Sequence, residues 1–395
     1  MNIDFELLLN LPSIRVSDCS ISDTDAHIYC ESSTEENRCP VCLNLTNQVT
    51  MYQERTIRDM ALLGRKVYLH LKTRQFHCNE CSRYFNERFV FVEPSKTMTT
   101  RYENYIYFLA EDICISQVSI KEDIVWATVN AIHQRYADKE LKNRTVWEKV
   151  CRLGIDEISI RKGMKNYACC LVDLDTGCVL DFLKDRLKET IEAYFKEKGP
   201  AICAQIKVVS SDMWDAYSTL AGTLFPNAIS VIDRYHFFIH LNKALDSTRK
   251  SIRKISPDET SFKHLRWALL KNPDHLSDAE KSLLSDAFIN SSSLQQVYEM
   301  RVDLKAIFDT DLTKDEAFIE IGLWEAKARN LGNKFMDSFL KTFTNWKDKV
   351  LNFFHERLTN AVVEGLNNAI RGIIRRSFGF RDFDNLRRRV LVELG

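Results

Sequence analysis

The stretch Ile206–Arg249 constrains this chain more than any other. Its first apolar run, Ile206-Lys207-Val208-Val209, is short and rich in β-branched residues, as a buried strand is. Ser210, Ser211 and Asp212 follow, and Met213 to Leu224 has helical spacing with Trp214, Tyr217, Leu220 and Leu224 on one face. Pro226-Asn227 punctuates, and a second apolar run, Ala228 to Ile232, ends in Asp233-Arg234-Tyr235-His236. Two strands thus each deliver an aspartate at the carboxyl edge of a sheet, where open α/β sheets hold their ligands. A lone Asp after a strand is commonly a helix N-cap. The functional reading therefore depends on whether other carboxylates converge on the same place.

A chain of 395 residues exceeds one ordinary core, so two to four domains are expected. With 45% hydrophobic and 11% aromatic residues it reads as well packed. Lys+Arg and Asp+Glu number 55 each, so net charge gives no pointer to a polyanion. The charge is nevertheless segregated: residues 1–36 are acidic, whereas 65–101 and 370–389 are rich in Arg and Lys. No apolar run is long enough for a membrane span, and the N-terminus lacks a basic-then-apolar signal pattern. Twelve cysteines without an export signal suggest a reducing compartment. The expected location is cytoplasmic, with no membrane partner.

Near the start, Phe5 to Leu11 reads as a helix stopped by Pro12, with strands around Ile14 and Ile28. Cys39-Pro40-Val41-Cys42 and Cys78-Asn79-Glu80-Cys81 then form two C-x2-C pairs. Each can make a knuckle that aims two thiolates at one tetrahedral Zn²⁺, a structural ion standing in for a core. A redox CxxC is the competing reading. Between the pairs, Val67, Leu69 and Leu71 alternate with Lys66, His70 and Lys72, as in a hairpin under a zinc ribbon. Arg74, Arg83 and Arg88 beside Phe76, Tyr84 and Phe85 suit a nucleic-acid surface, and equally an ordinary one. Tyr102 to Val150 reads as three helices, with Ser119 and Glu122 as a capping box. The last carries Thr128, Asn130, His133, Gln134 and Arg135. Both a helix-turn-helix and a plain helical hairpin fit, and no glycine marks the turn.

Beyond Cys151 the pattern becomes strand-like. Leu153 to Ile160 carries Asp156, and Tyr167–Asp173 and Cys178–Leu183 join through an Asp175-Thr176-Gly177 turn. Lys188 to Lys198 is an amphipathic helix. Three antiparallel strands, a helix, a strand, a helix and a strand is the order of a ribonuclease H-like α/β fold, in which Asp156 and Asp212 lie side by side. Asp246 to Val350 is almost wholly helical. It separates Asp212 from Glu364 by roughly 150 residues, far beyond a loop, so it reads as a domain of its own. Thr359-Asn360 opens a last helix with Glu364, Asn367, Asn368 and Arg371 on one face, suited to phosphate contacts. Arg375, Arg376, Arg381 and Arg387 to Arg389 form a basic tail after it, with Gly379 marking a turn; backbone phosphates or plain solvent are its alternatives.

The segments GIDEISIRKG, VDLDTGCVLDFLKDR, SSDMWDAY, VIDRYHFFIHLNKALDSTR and VEGLNNAIRGIIRRSFGFRDFDNLRRRVL together resemble bacterial insertion-sequence transposases of the ISL-three type. The resemblance spans nearly the whole chain, and the four cysteines match that family's zinc ribbon. It implies a DDE transposase with Asp156, Asp212 and Glu364 as the acidic residues. Asp233 and His236 would be an accessory pair, or His236 would merely steady a helix start. The expected organisation is a zinc-ribbon region (1–95), a helical, helix-turn-helix-like domain (96–150), a first part of the catalytic core (151–250), an all-helical insertion (251–355) and a C-terminal part (356–395). Phosphodiester chemistry suits a pair of Mg²⁺ or Mn²⁺ ions held by three carboxylates, hard oxygen ligands for hard cations. Trp214 suits base stacking or, more plainly, the core. The partners implied are double-stranded DNA, as transposon ends and target, and further copies of the chain, a homodimer or larger. The activity implied is binding of terminal inverted repeats, strand cleavage and strand transfer. The alternatives are a catalytically silent regulator descended from a transposase and a structure-specific nuclease.

Overall fold

The computed structural model describes every residue except 1–4, 143, 145, 162–165, 214, 256–261, 263, 358–360, 379 and 381. Trp214, Thr359, Asn360, Gly379 and Arg381 therefore lie outside the described residues. The chain divides into two compact units, Met1–Lys142 with Arg376–Phe378, and Asn143–Arg375 with Gly379–Gly395. Among the described residues, no helix is long and apolar enough to cross a membrane.

The first unit opens with a short helix, Phe5–Leu9, and the strands β1 (Ile14–Ile21) and β2 (Asp25–Ser32). Two-residue strands β3 (Asn37–Arg38) and β4 (Leu45–Thr46) bracket the first cysteine pair. The long strands β5 (Val49–Leu62) and β6 (Arg65–His77) form the expected hairpin, and β7 (Tyr84–Asn86) closes on β6. Its turn sets both Leu63 (φ 49°) and Gly64 (φ 80°) in the left-handed region, as a tight two-residue hairpin turn requires. The sheet runs β1-β2-β6-β5, and its alternation buries Ile28, Ile57, Val67, Leu69 and Leu71 on one face. Phe76 belongs inside as well: it is fully buried and stacked on Phe85, so it offers no surface to a nucleic acid.

Three helices complete this unit: Thr100–Asp112, Ile115–Glu122 and Trp126–Lys142. Buried Asp59 of β5 ties the first to the sheet, accepting from Thr99 Oγ1 at 2.6 Å and Arg101 Nε at 2.8 Å. The turn before the third helix uses Asp123 at φ 54°, which is why no glycine announced it; Asp tolerates this region. The capping box expected at Ser119 is absent, because Ser119 lies inside the second helix and donates to the Ile124 carbonyl. Glu122 instead accepts from the hydroxyls of Tyr102 and Tyr105.

The second unit is built on a five-stranded sheet of β8 (Arg152–Arg161), β9 (Asn166–Asp173), β10 (Cys178–Leu183), β11 (Val208–Ser211) and β12 (Ile229–Ile232). Its order is β10-β9-β8-β11-β12, with β8, β9 and β10 antiparallel and β11 parallel to both β8 and β12. Leu153, Ile155, Leu171 and Val209 pack against helices Lys188–Lys198 and Asp215–Leu224. Val208, Val231 and Ile232 share a second cluster with a long helix, Arg234–Ile255, and the helices that follow it up to Glu356. The helix Phe383–Leu394 packs on β10 and stacks Phe383 on Phe182. There Arg387 holds Asp181 through Nε (2.7 Å) and Nη2 (2.9 Å), and buried Arg389 bonds Glu393. The expected basic tail is thus partly internal, its arginines spent on carboxylates of the fold.

Candidate active site and metal centre

The sheet register brings three aspartates to one level. Ser211 pairs with Ile155 on one side and with Ile232 on the other. The next residues along these strands are Asp212, Asp156 and Asp233. The helix Ala361–Arg376 adds Glu364, Asn367 and Arg371. Together with Glu157, Tyr235 and His236 these line one cleft of about 380 Å³. Gly154 is what lets that helix close on the strand: a Cβ there would meet Leu174 Cδ2 at 2.9 Å and Val363 Cγ2 at 3.0 Å.

Asp156 is buried. Its Oδ2 accepts from Asn367 Nδ2 at 2.6 Å, and its Oδ1 from the Glu157 backbone N–H at 2.7 Å. Burial, then the neighbouring charge of Asp212, push its pKa up to about 6. Asp233 caps the helix it precedes, accepting from the Tyr235 N–H at 3.3 Å, so the simple N-cap reading holds for this aspartate. Its other oxygen accepts from His236 Nδ1 at 3.1 Å. That nitrogen also lies 2.6 Å from Asp212 Oδ1, but it carries a single proton. Asp212 Oδ1 is buried and, among the described residues, has this ion contact with the ring in place of a hydrogen bond. Burial pulls the His236 pKa down, yet contact with Asp212 and then Asp233 outweighs it and holds the ring at about 10.

Asn367 Oδ1 is a second buried oxygen in the cleft lining without a donor. Acceptors without donors, among carboxylates that repel one another, are the surroundings a hard cation satisfies. The residues therefore fit a divalent ion. The expected helix face is split: Asn367 is buried against Asp156, while Glu364, Asn368 and Arg371 are exposed and Arg371 donates to Asn368 Oδ1. Glu157, held by Arg186, and Tyr235 were not anticipated as cleft residues. Tyr235 stands between two residues already singled out, and that adjacency was the available signal.

The four cysteines form one cluster in which a sulfur from each lies within 4.8 Å of the others. Cys39 and Cys81 are 3.5 Å apart at sulfur, and Cys42 and Cys78 3.4 Å. Four thiolates about 2.3 Å from a shared ion would stand nearly as close, so the cluster fits tetrahedral zinc. The proposed DNA-contact residues differ in availability. Arg83 and Arg375 are exposed, and so is Arg376, which has an interaction within the chain. Arg74 is mostly buried and bonded to Glu87, with Nη2 to Oε1 at 2.5 Å, and Arg135 is paired with Glu103.

Comparison with known proteins gives the family of the chain. Residues 153–390 match the ISL3 DDE family profile described as "Transposase", and residues 35–81 match the profile described as "zinc-finger of transposase IS204/IS1001/IS1096/IS1165". The chain belongs to the ISL3 family of insertion-sequence transposases. It is 26% identical over 362 residues to the transposase for insertion sequence element IS1001 of Bordetella parapertussis, covering 90% of this chain and 88% of that one. To the transposase for insertion sequence element IS1557 of Mycobacterium tuberculosis it is 25% identical over 284 residues, 65% of this chain and 63% of that one.

Proposed function

We propose that the acidic cleft is the catalytic centre of a DDE transposase, with Asp156, Asp212 and Glu364 as its metal-binding carboxylates. The observation that supports this most is the sheet register that sets Asp212 beside Asp156, with Glu364 lining the same cleft from the helix Ala361–Arg376. The strand order of the second unit, with helices between β12 and the Glu364 helix, supports a ribonuclease H-like core carrying an all-helical insertion. Two Mg²⁺ or Mn²⁺ ions bound there would activate the attacking oxygen and stabilise the leaving one. Asn367 orients Asp156; Asp233 and His236 brace the flank of Asp212; Arg371, at the cleft lining, would steady a phosphate.

Double-stranded DNA is the substrate on this reading: terminal inverted repeats held by the zinc ribbon and the three-helix segment, then cut and joined to a target. Arg83, Arg371, Arg375 and Arg376, with Asn368, are the side chains we assign to phosphate contacts. Arg74 and Arg135 would have to leave Glu87 and Glu103 to join them. Joining two ends implies at least two copies of the chain.

The test is incubation with labelled duplexes made from the DNA flanking the gene, with Mg²⁺ or Mn²⁺. Metal-dependent nicking at the element boundary supports the transposase. Boundary-specific binding without nicking in either metal would make the chain a silent regulator.

A further inference from the structure

The helix Lys314–Arg329 is apolar on two sides. Ala317, Ile321, Trp324 and Ala328 are buried in the helical core. On the other side Phe318, Ile319 and Leu323 are 55%, 59% and 57% exposed, and Ala326 is exposed beside them. A surface helix ordinarily carries one apolar stripe, and a helix apolar all round is ordinarily covered all round.

Gly322, in the middle of the outer stripe, is an independent sign. Glycine inside a helix is less stable than alanine there, so its presence needs a reason. A Cβ at this position meets nothing within 4 Å, so packing within the described chain supplies none. Close approach of another helix would. The charges of the stripe identify that helix. Asp315 and Arg329 are equally spaced on either side of Gly322, as are Phe318 and Ala326. Two copies crossing antiparallel at Gly322 would set each Phe318 on the partner's Ala326 and each Asp315 on the partner's Arg329. That arrangement is self-complementary about a two-fold axis.

We propose that this stripe binds the same stripe of a second copy of the chain, helix against antiparallel helix. The inference rests on this helix surface and not on the catalytic reading, since a silent regulator would pair in the same way. Arg329 can turn outward, giving up Glu325 and Thr344 Oγ1 (3.3 Å), without stranding Glu325, because Lys347 also bonds Glu325 at 2.9 Å. The exposed area is small for a homodimer, so association is expected in the micromolar range rather than tighter.

Sedimentation equilibrium of the zinc-loaded full chain across the micromolar range tests this, with melting temperature followed on every variant. Wild type is expected to show a monomer–dimer equilibrium. Gly322→Leu, which occupies open space in the monomer, should melt no lower yet associate about tenfold or more weakly. Asp315→Arg and Arg329→Asp should each weaken association, and the double reversal should recover it. A monomer at all concentrations, unchanged association of Gly322→Leu, or a double reversal weaker than either single one would each overturn the proposal.

Discussion

The side-chain amide of Asn367 donates to Asp156 Oδ2 at 2.6 Å, joining residues 211 apart in sequence. An ionised carboxylate only accepts, so the NH₂ end must face it and Oδ1 faces elsewhere. Asn367→Leu keeps the volume and removes the donor. It should cost about 1–3 kcal/mol of stability, the usual penalty for an unpaired buried polar group. Cleavage should fall while DNA affinity, measured by fluorescence anisotropy, stays near wild type.

Gly154 lets the Glu364 helix approach β8 closely. Gly154→Ala would set a Cβ 2.9 Å from Leu174 Cδ2 and 3.0 Å from Val363 Cγ2, forcing the helix or the Leu174 side chain outward. Overpacking of this kind costs about 1–3 kcal/mol. Cleavage measured well below the melting temperature should drop at least tenfold, because Glu364 and Asn367 move with Val363. Wild-type cleavage in a destabilised Gly154→Ala protein would detach the helix from the chemistry.

The cleft also sets a pH dependence. The folded pKa of Asp156, about 6, lies above its ordinary 3.8, so between those values the folded state binds more protons than the unfolded one. Stability therefore falls as pH rises through this window. His236, raised to about 10 from 6.5, contributes stability that is full below about 6.5 and lost as pH rises through about 10. Both act in the same direction. In the zinc-loaded protein without other divalent ions, the cleft's contribution to stability, read as the difference between wild type and the Asp156→Asn, His236→Gln protein, should fall from pH 5 to pH 10, the full Asp156 part being about 3 kcal/mol. Added Mn²⁺ should raise the melting temperature more at pH 7 than at pH 5, because ion binding needs Asp156 ionised. Calorimetry at matched ionic strength measures both.

Zinc removal should affect the first unit. Cys78→Ser deletes one of four thiolates within 4.8 Å, so native mass spectrometry should find the one bound zinc lost or exchangeable. Thermal unfolding of the β3–β7 region, followed by hydrogen exchange, should shift downward. The chemistry of the cleft should survive on a pre-nicked substrate.

Much of the cleft was legible because it depends on strand order. The apolar runs before Asp212 and Asp233 gave two strands that each end in an aspartate, and a third run carried Asp156 in its middle; the sheet register sets the three aspartates at one level. Two thiolate pairs were equally legible, since C-x2-C carries its own geometry. What escaped was partnership between side chains. Arg74, Arg135, Arg387 and Arg389 look like a phosphate surface in sequence, but each meets a carboxylate that is distant or one turn away. Asn367 shared a helical face with Asn368 on spacing alone, yet one is buried and the other exposed. Helical periodicity gives a face and does not say where the neighbouring strand cuts it. Asp123 took a left-handed turn position that a search for glycine overlooks.

The most direct test of the central claim replaces each carboxylate by its amide. Asp156→Asn, Asp212→Asn and Glu364→Gln would be compared with wild type on a boundary duplex in Mn²⁺, with binding measured on the same duplex. One metal-dependent site built from all three predicts a loss of cleavage of about a thousandfold or more in each, with binding retained. Cleavage persisting in any one of them at near wild-type rate would contradict that site.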